Sequence, residues 1–170
     1  MKFTKMQGCG NDYVYVDCTK ELISNIPETA RKVSNRNYGI GSDGLILIRN
    51  SDKADFMMEM YNQDGSRGMM CGNGIRCLGK YVYDHGLTDK TNLKIETLSG
   101  IKELELFVED GKVSTVKVNM GAPILETSLI PAIFDKDKII KMFIMSVVFL
   151  LVIPMQLYML MRQKHFQWHK

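Results

Sequence analysis

From residue 3 to residue 119 the chain switches between strand-like and turn-like segments at short intervals, a rhythm that restricts it to short strands with little helix. Residues 2–6 and 13–17 read as strands, with 7–12 as the loop between them. Residues 45–49 and 55–61 read as two more; the tight loop 39–44 precedes the first, and 62–66 carry turn chemistry after the second. Residues 93–97, 101–109 and 113–119 complete the set, the last two joined through Asp110-Gly111, a strong hairpin signal. Helix is expected twice. Residues 27–35 suit a short one, with Pro27 in its first turn and Ala30, Val33 and Ser34 on one face. Residues 73–83 suit a second, stopping near Gly86. The expected class is α/β in the broad sense, more narrowly α+β: mostly strand with two helices.

With 170 residues, 45% of them hydrophobic, the chain can form one domain, or most of one, around its own core. A net charge of only +3, with Lys and Arg scattered and no aromatic-interleaved basic stripe, argues against nucleic acid as a partner. No charged segment followed by a long apolar core opens the chain, so the cytoplasm is the expected compartment. There, Cys9, Cys18, Cys71 and Cys77 read as thiols instead of a disulfide framework. With no Cys-x-x-Cys pair, no nearby His and no phosphate-binding loop, neither a metal nor a cofactor is expected.

The chemistry concentrates in Met69-Met70-Cys71-Gly72-Asn73-Gly74-Ile75-Arg76-Cys77, where a thiol stands just before a Gly-Asn-Gly turn that opens the second helix. Amide groups and the macrodipole at a helix start favour negative charge, so a thiol placed there gains thiolate character. The same amides can hold a carboxylate. Cys71 is therefore the candidate nucleophile or base, beside an anion cradle. Cys77 reads as core packing, while Cys9 and Cys18 have no argued role. The methionines at 57, 58, 60, 69 and 70 read as core filler, and His85 as a surface residue near terminal helix carbonyls.

Four motifs occur in order: Lys5-Met6-Gln7-Gly8-Cys9-Gly10-Asn11-Asp12, Gly39-Ile40-Gly41-Ser42-Asp43-Gly44, Tyr61-Asn62-Gln63-Asp64-Gly65-Ser66 and Met70-Cys71-Gly72-Asn73-Gly74-Ile75-Arg76-Cys77. Together they resemble the N-terminal half of the diaminopimelate epimerases, cofactor-independent isomerases of lysine and cell-wall biosynthesis. The resemblance runs from Phe3 to about Asp137 and implies an N-terminal epimerase domain over residues 1–137. The implied fold is one of two pseudo-symmetric halves, each a barrel-like, mostly antiparallel sheet wrapped around a central helix, with the active site in the cleft between them. It implies that Cys71 is one of two cysteines that work on opposite faces of the substrate α-carbon. It also implies that Gly72 and Asn73 bind the α-carboxylate through their amides, and that Asn11 and Asn62, both expected in turn-forming loops, bind the distal amino-acid end. Diaminopimelate is the implied partner, and a homodimer of the full-length form is left open.

The tail departs from that pattern. Residues 142–161 are an uncharged run flanked by Lys141 and Arg162, where the family's second half would bring a Gly-Asn-Pro-His turn and later a Cys-Gly-Thr-Gly run. Read in the adjacent frame, residues 151–160 can encode Gly-Asn-Pro-His-Ala-Ile-Val-Tyr-Val. The stronger expectation for residues 138–170 is therefore an aberrant, out-of-frame tail, and the weaker one a membrane anchor. The expected activity is epimerisation of LL- and meso-diaminopimelate by the family, with this chain alone inactive. The competing reading is a membrane-tethered or regulatory pseudoenzyme that binds substrate-like amino acids without turning them over.

Overall fold

Strand β1 (Thr4–Gly8) turns directly into β2 (Asn11–Asp17), with Gly8 paired to Asn11. The turn is only Cys9 and Gly10, both at positive φ (58° and 83°), the geometry of a two-residue hairpin whose twist matches its strands. Gln7 Oε1 accepts the Gly10 N–H at 2.9 Å. The expected loop over 7–12 is thus corrected: Asn11 and Asp12 are the first residues of a strand. The structure, a computed structural model, describes residues 1–122.

Helix α1 (Ile26–Ser34) carries the chain over to β3 (Gly44–Arg49), which lies parallel to β2. β4 (Phe56–Asn62) returns antiparallel, and the short β5 (Arg67–Gly68) pairs with its end. Helix α2 (Gly72–Asp84) makes the second crossover, to β6 (Asn92–Thr97), which is parallel to β4. The antiparallel strands β7 (Gly100–Glu109) and β8 (Lys112–Asn119) finish a sheet ordered β1-β2-β3-β4-β6-β7-β8. Residues Met1–Asn119 form one compact unit.

Both faces of the middle strands are covered, which is why β3 reads Gly-Leu-Ile-Leu-Ile with no polar alternation. On one face Val14, Val16, Leu45, Leu47 and Tyr61 pack with Ala30 and Val33 of α1. Ile46 and Met58 face the other way, onto the start of α2: a Cβ on Gly74 would lie 2.7 Å from Ile46 Cδ1. An Ala there would lose that close approach. The sheet curls so that β1 and β2 near one edge and β7 and β8 at the other all pack on α2. Ile75, Leu78 and Val82 of this helix are fully buried, each worth about 1.5–3 kcal/mol of apolar burial.

The expected mostly antiparallel sheet around a central helix is what the structure has. Met58 and Met60 are core and Met57 and Met70 half-buried, but Met69, on the link between β5 and α2, is 61% exposed. His85 bonds Tyr81 O through Nδ1 at 3.1 Å and stacks on the Tyr81 ring. Among the described residues no helix is long and apolar enough to cross a membrane. The expected boundary at residue 137 and the tail 138–170, with its out-of-frame and anchor readings, lie outside the described residues.

Candidate active site

Strand register gathers the candidate residues before any side chain is considered. Gly44, the first residue of β3, pairs with Tyr13 on one side and with Asn62, the last residue of β4, on the other. Asn11 opens β2 two residues earlier, so Asn11, Gly44 and Asn62 share one rim. β5 runs back along the end of β4, and three residues beyond it the chain delivers Cys71 to that rim. β1 also reaches it: a Cβ on Gly8 would sit 3.2 Å from Asn73 Cβ.

Cys71 is the N-cap of α2, in extended conformation (φ −131°, ψ 119°). Its carbonyl accepts the Ile75 N–H at 2.9 Å, and its Sγ accepts the Gly74 N–H at 3.4 Å. Gly72 and Asn73 occupy the first two helical positions, where amides point out of a helix end. The Asn73 side chain is buried, with Oδ1 accepting from Arg76. The half-buried Cys71 thiol donates to Asn11 Oδ1 at 3.2 Å. One sulfur thus has an acceptor on one side and a donor on the other.

Asn11 is held in turn. Its Nδ2 donates to Asp43 Oδ2 at 2.7 Å, and the Asp12 N–H reaches the same oxygen at 3.1 Å. Arg36 pairs with Asp43 Oδ1 at 3.0 Å and grips both oxygens of Asp12 at 2.8 and 3.2 Å. The Arg36 hydrogen bonds, helped by Lys5 at 3.1 Å, hold the Asp12 carboxyl well below the usual range against its partial burial. Burial pushes the Tyr13 phenol up, and the neighbouring Cys71 adds to this, so a protonated hydroxyl lies beside Cys71 and Asn11.

The other thiols differ. Burial pushes Cys18 and Cys77 up, while Cys9 is exposed on its turn with Arg76 Nη2 3.5 Å from the sulfur. None of the four is in a disulfide. Asn62 keeps to its own turn: Nδ2 donates to Ser66 Oγ at 2.9 Å and the backbone N–H to Ser66 O at 2.8 Å. Neither amide is on a loop as expected, since the pairing with Gly8 and Gly44 extends the strands to Asn11 and Asn62. Among the described residues no group of three or more His, Cys, Asp or Glu could hold a metal.

Residues 3–126 match the family model described as diaminopimelate epimerase. The chain belongs to that family. It is 58% identical over 137 residues to the diaminopimelate epimerase of Acetivibrio thermocellus, covering 81% of this chain and 49% of that protein. It is equally 58% identical over 140 residues to that of Methanococcus maripaludis, covering 82% and 50%. The chain therefore spans about half the length of these relatives. A solved methylitaconate-delta-isomerase superposes with a TM-score of 0.55 at 17% identity, over 65% of this chain and 35% of that one, a likeness of fold.

Within this family member the structure brings Cys71, Asn11, Gly72 and Asn73 together and leaves the Asn62 side chain tied within its turn. Three further participants are not evident from the sequence. Asp43 lies inside one of the four motifs, where it reads as turn chemistry; Arg36 and Tyr13 carry no local signal. Only a pairing of residues 11 and 43 across the sheet reveals them.

Proposed function

We propose that this chain supplies one half of an epimerase site that interconverts LL- and meso-diaminopimelate without a cofactor, in the cytoplasm, with Cys71 moving the proton at one face of the α-carbon. The observation that carries the reading is the pairing of the Cys71 sulfur with an acceptor, Asn11 Oδ1, and a donor, the Gly74 N–H. A group that gives a proton in one direction and takes one in the other needs a partner for each state. The amides of Gly72 and Asn73 hold the α-carboxylate, which draws off the charge left when the α-proton departs. Asn62 exchanges Ser66 for the distal end of the substrate, and Asn11 contributes there from across the rim.

Inversion needs a second acid–base on the opposite face. Among the described residues the remaining thiols are two buried ones and Cys9 on its turn. The opposing cysteine is therefore proposed to come from the second half of a longer protein, as the resemblance implies. The domain is proposed to end near residue 137, and the out-of-frame explanation for residues 138–170 is checked by reading the encoding DNA in both frames.

The test is incubation with LL- or meso-diaminopimelate in deuterated water. The chain alone should not interconvert them, and adding a separately expressed C-terminal half from a relative should bring α-deuteration and interconversion that disappear in Cys71→Ala. Full interconversion by the chain alone, or by the mixture with Cys71→Ala, would overturn the two-thiol reading.

A further inference from the structure

We propose that Asp43 is a positioning residue for Cys71: its carboxylate pins the Asn11 amide so that the carbonyl oxygen, and not the amino group, faces the thiol. The inference deepens the acid–base reading of Cys71 and rests on it for its catalytic meaning. A carboxylate only accepts hydrogen bonds, whereas an Asn side chain accepts at one end and donates at the other. Asp43 Oδ2 lies 2.7 Å from Asn11 Nδ2. A flipped amide would set Asn11 Oδ1 against that oxygen, lone pair against lone pair.

Asp43 cannot turn aside to relieve such a clash. Its Oδ2 also takes the Asp12 N–H, its Oδ1 meets Arg36, its own N–H donates to Asp12 O at 2.8 Å, and its carbonyl accepts from Gln63 N at 3.1 Å. The orientation at Asp43 is therefore passed to Asn11 and from there to the sulfur. With Oδ1 facing it, the sulfur meets an acceptor, the partner that a protonated thiol needs. With the amino group facing it, the same site would favour a thiolate. The other ionisable groups around this thiol are Tyr13 and Tyr15 on β2 and Cys77 on α2, with Arg36 and Asp12 behind Asp43.

The experiment measures iodoacetamide alkylation of Cys71 in the full chain without substrate, by mass mapping, as the ratio of its rates at about pH 7 and about pH 9.5. Altered access changes both rates alike, so the ratio follows which partner faces the sulfur. Asp43→Ala should raise the ratio at least about threefold, because the freed amide can turn its amino group to the sulfur. Losing a negative charge would act in the same direction, and a double-mutant cycle separates the two causes. In an Asn11→Leu background Asp43→Ala should change nothing; the full rise there would mean a direct charge effect and would overturn the proposal. An unchanged or lower ratio in Asp43→Ala alone would also overturn it. If Cys18 and Cys77 become fast in Asp43→Ala, reporting unfolding, Asp43→Ser is read by the same criteria, since its hydroxyl both donates and accepts and so does not dictate which end of the Asn11 amide turns toward it. No turnover is measured, so the result stands apart from the deuterium test of Cys71.

Discussion

At its C-terminal end α2 is closed by the Gly86 N–H to Tyr83 O at 3.0 Å and the Leu87 N–H to Val82 O at 2.9 Å, whereas its N-terminal end is capped by a sulfur 3.4 Å from the Gly74 N–H. The first arrangement is a Schellman closure with Gly86 at φ 70°. It is reinforced by Asp84, whose Oδ1 accepts the Val113 N–H at 2.9 Å and whose Oδ2 meets Lys80 at 2.8 Å. At the N-terminal end a Ser, Thr or Asp would cap better than a thiol. The C-terminal end is built for stability; the N-terminal end accepts a weaker cap and spends its polar groups on holding one sulfur.

Replacing the sulfur separates the two ends most sharply. Cys71→Ser should lower α-deuterium exchange in the two-half assay by about a hundredfold to ten-thousandfold. The same change should leave the thermal midpoint level or slightly raised, because serine is the stronger cap. Exchange within tenfold of the parent would remove Cys71 from the proton path.

Leu78, fully buried midway along the helix, belongs to neither end. Leu78→Ala should cost about 2–5 kcal/mol in denaturant unfolding. A cost under about 1 kcal/mol would mean that α2 is not the core element its burial indicates.

Gly86→Ala strains a left-handed position and should cost about 1 kcal/mol. Cys71 alkylation in this variant should match the parent. A changed alkylation rate would show that the ends communicate along the helix.

The smallest effect concerns acid. Because Arg36 depresses the Asp12 carboxyl, the pair contributes stability above the ordinary carboxylate range, and that contribution is lost as pH falls through and below it. Arg36 is half exposed, so solvent and salt reduce the effect. Urea midpoints followed from about pH 6 to about pH 3 should fall more steeply in the parent than in Arg36→Ala, and parallel curves would show no net contribution from the pair.

The strand and helix segments are legible in the sequence where local chemistry decides them: Pro27 near the start of α1, Gly86 after α2, Asp110-Gly111 between β7 and β8. The first turn is not, because it places Cys9 at φ 58°, a conformation that residue type does not advertise. Nor is β5, whose two residues become a strand only by pairing with Met60 and Tyr61. For the site, Cys71 at a helix start is readable from the glycines after it. The Asn11–Asp43 bond is hidden, since it spans 32 residues and depends on β2 and β3 lying parallel.

The grip of β1, β2, β7 and β8 on α2 also governs the order of events during synthesis. Leu104, Leu106 and Val116 close over α2 at Gly79, yet they are made after the helix residues. Strands made early can pair with one another, but the helix surface at Gly79 stays open until the β7–β8 hairpin arrives. Contacts so distant along the chain make folding slow and concentrate it late. A released chain that ends before residue 112 would present that open surface to chaperones or to other copies of itself.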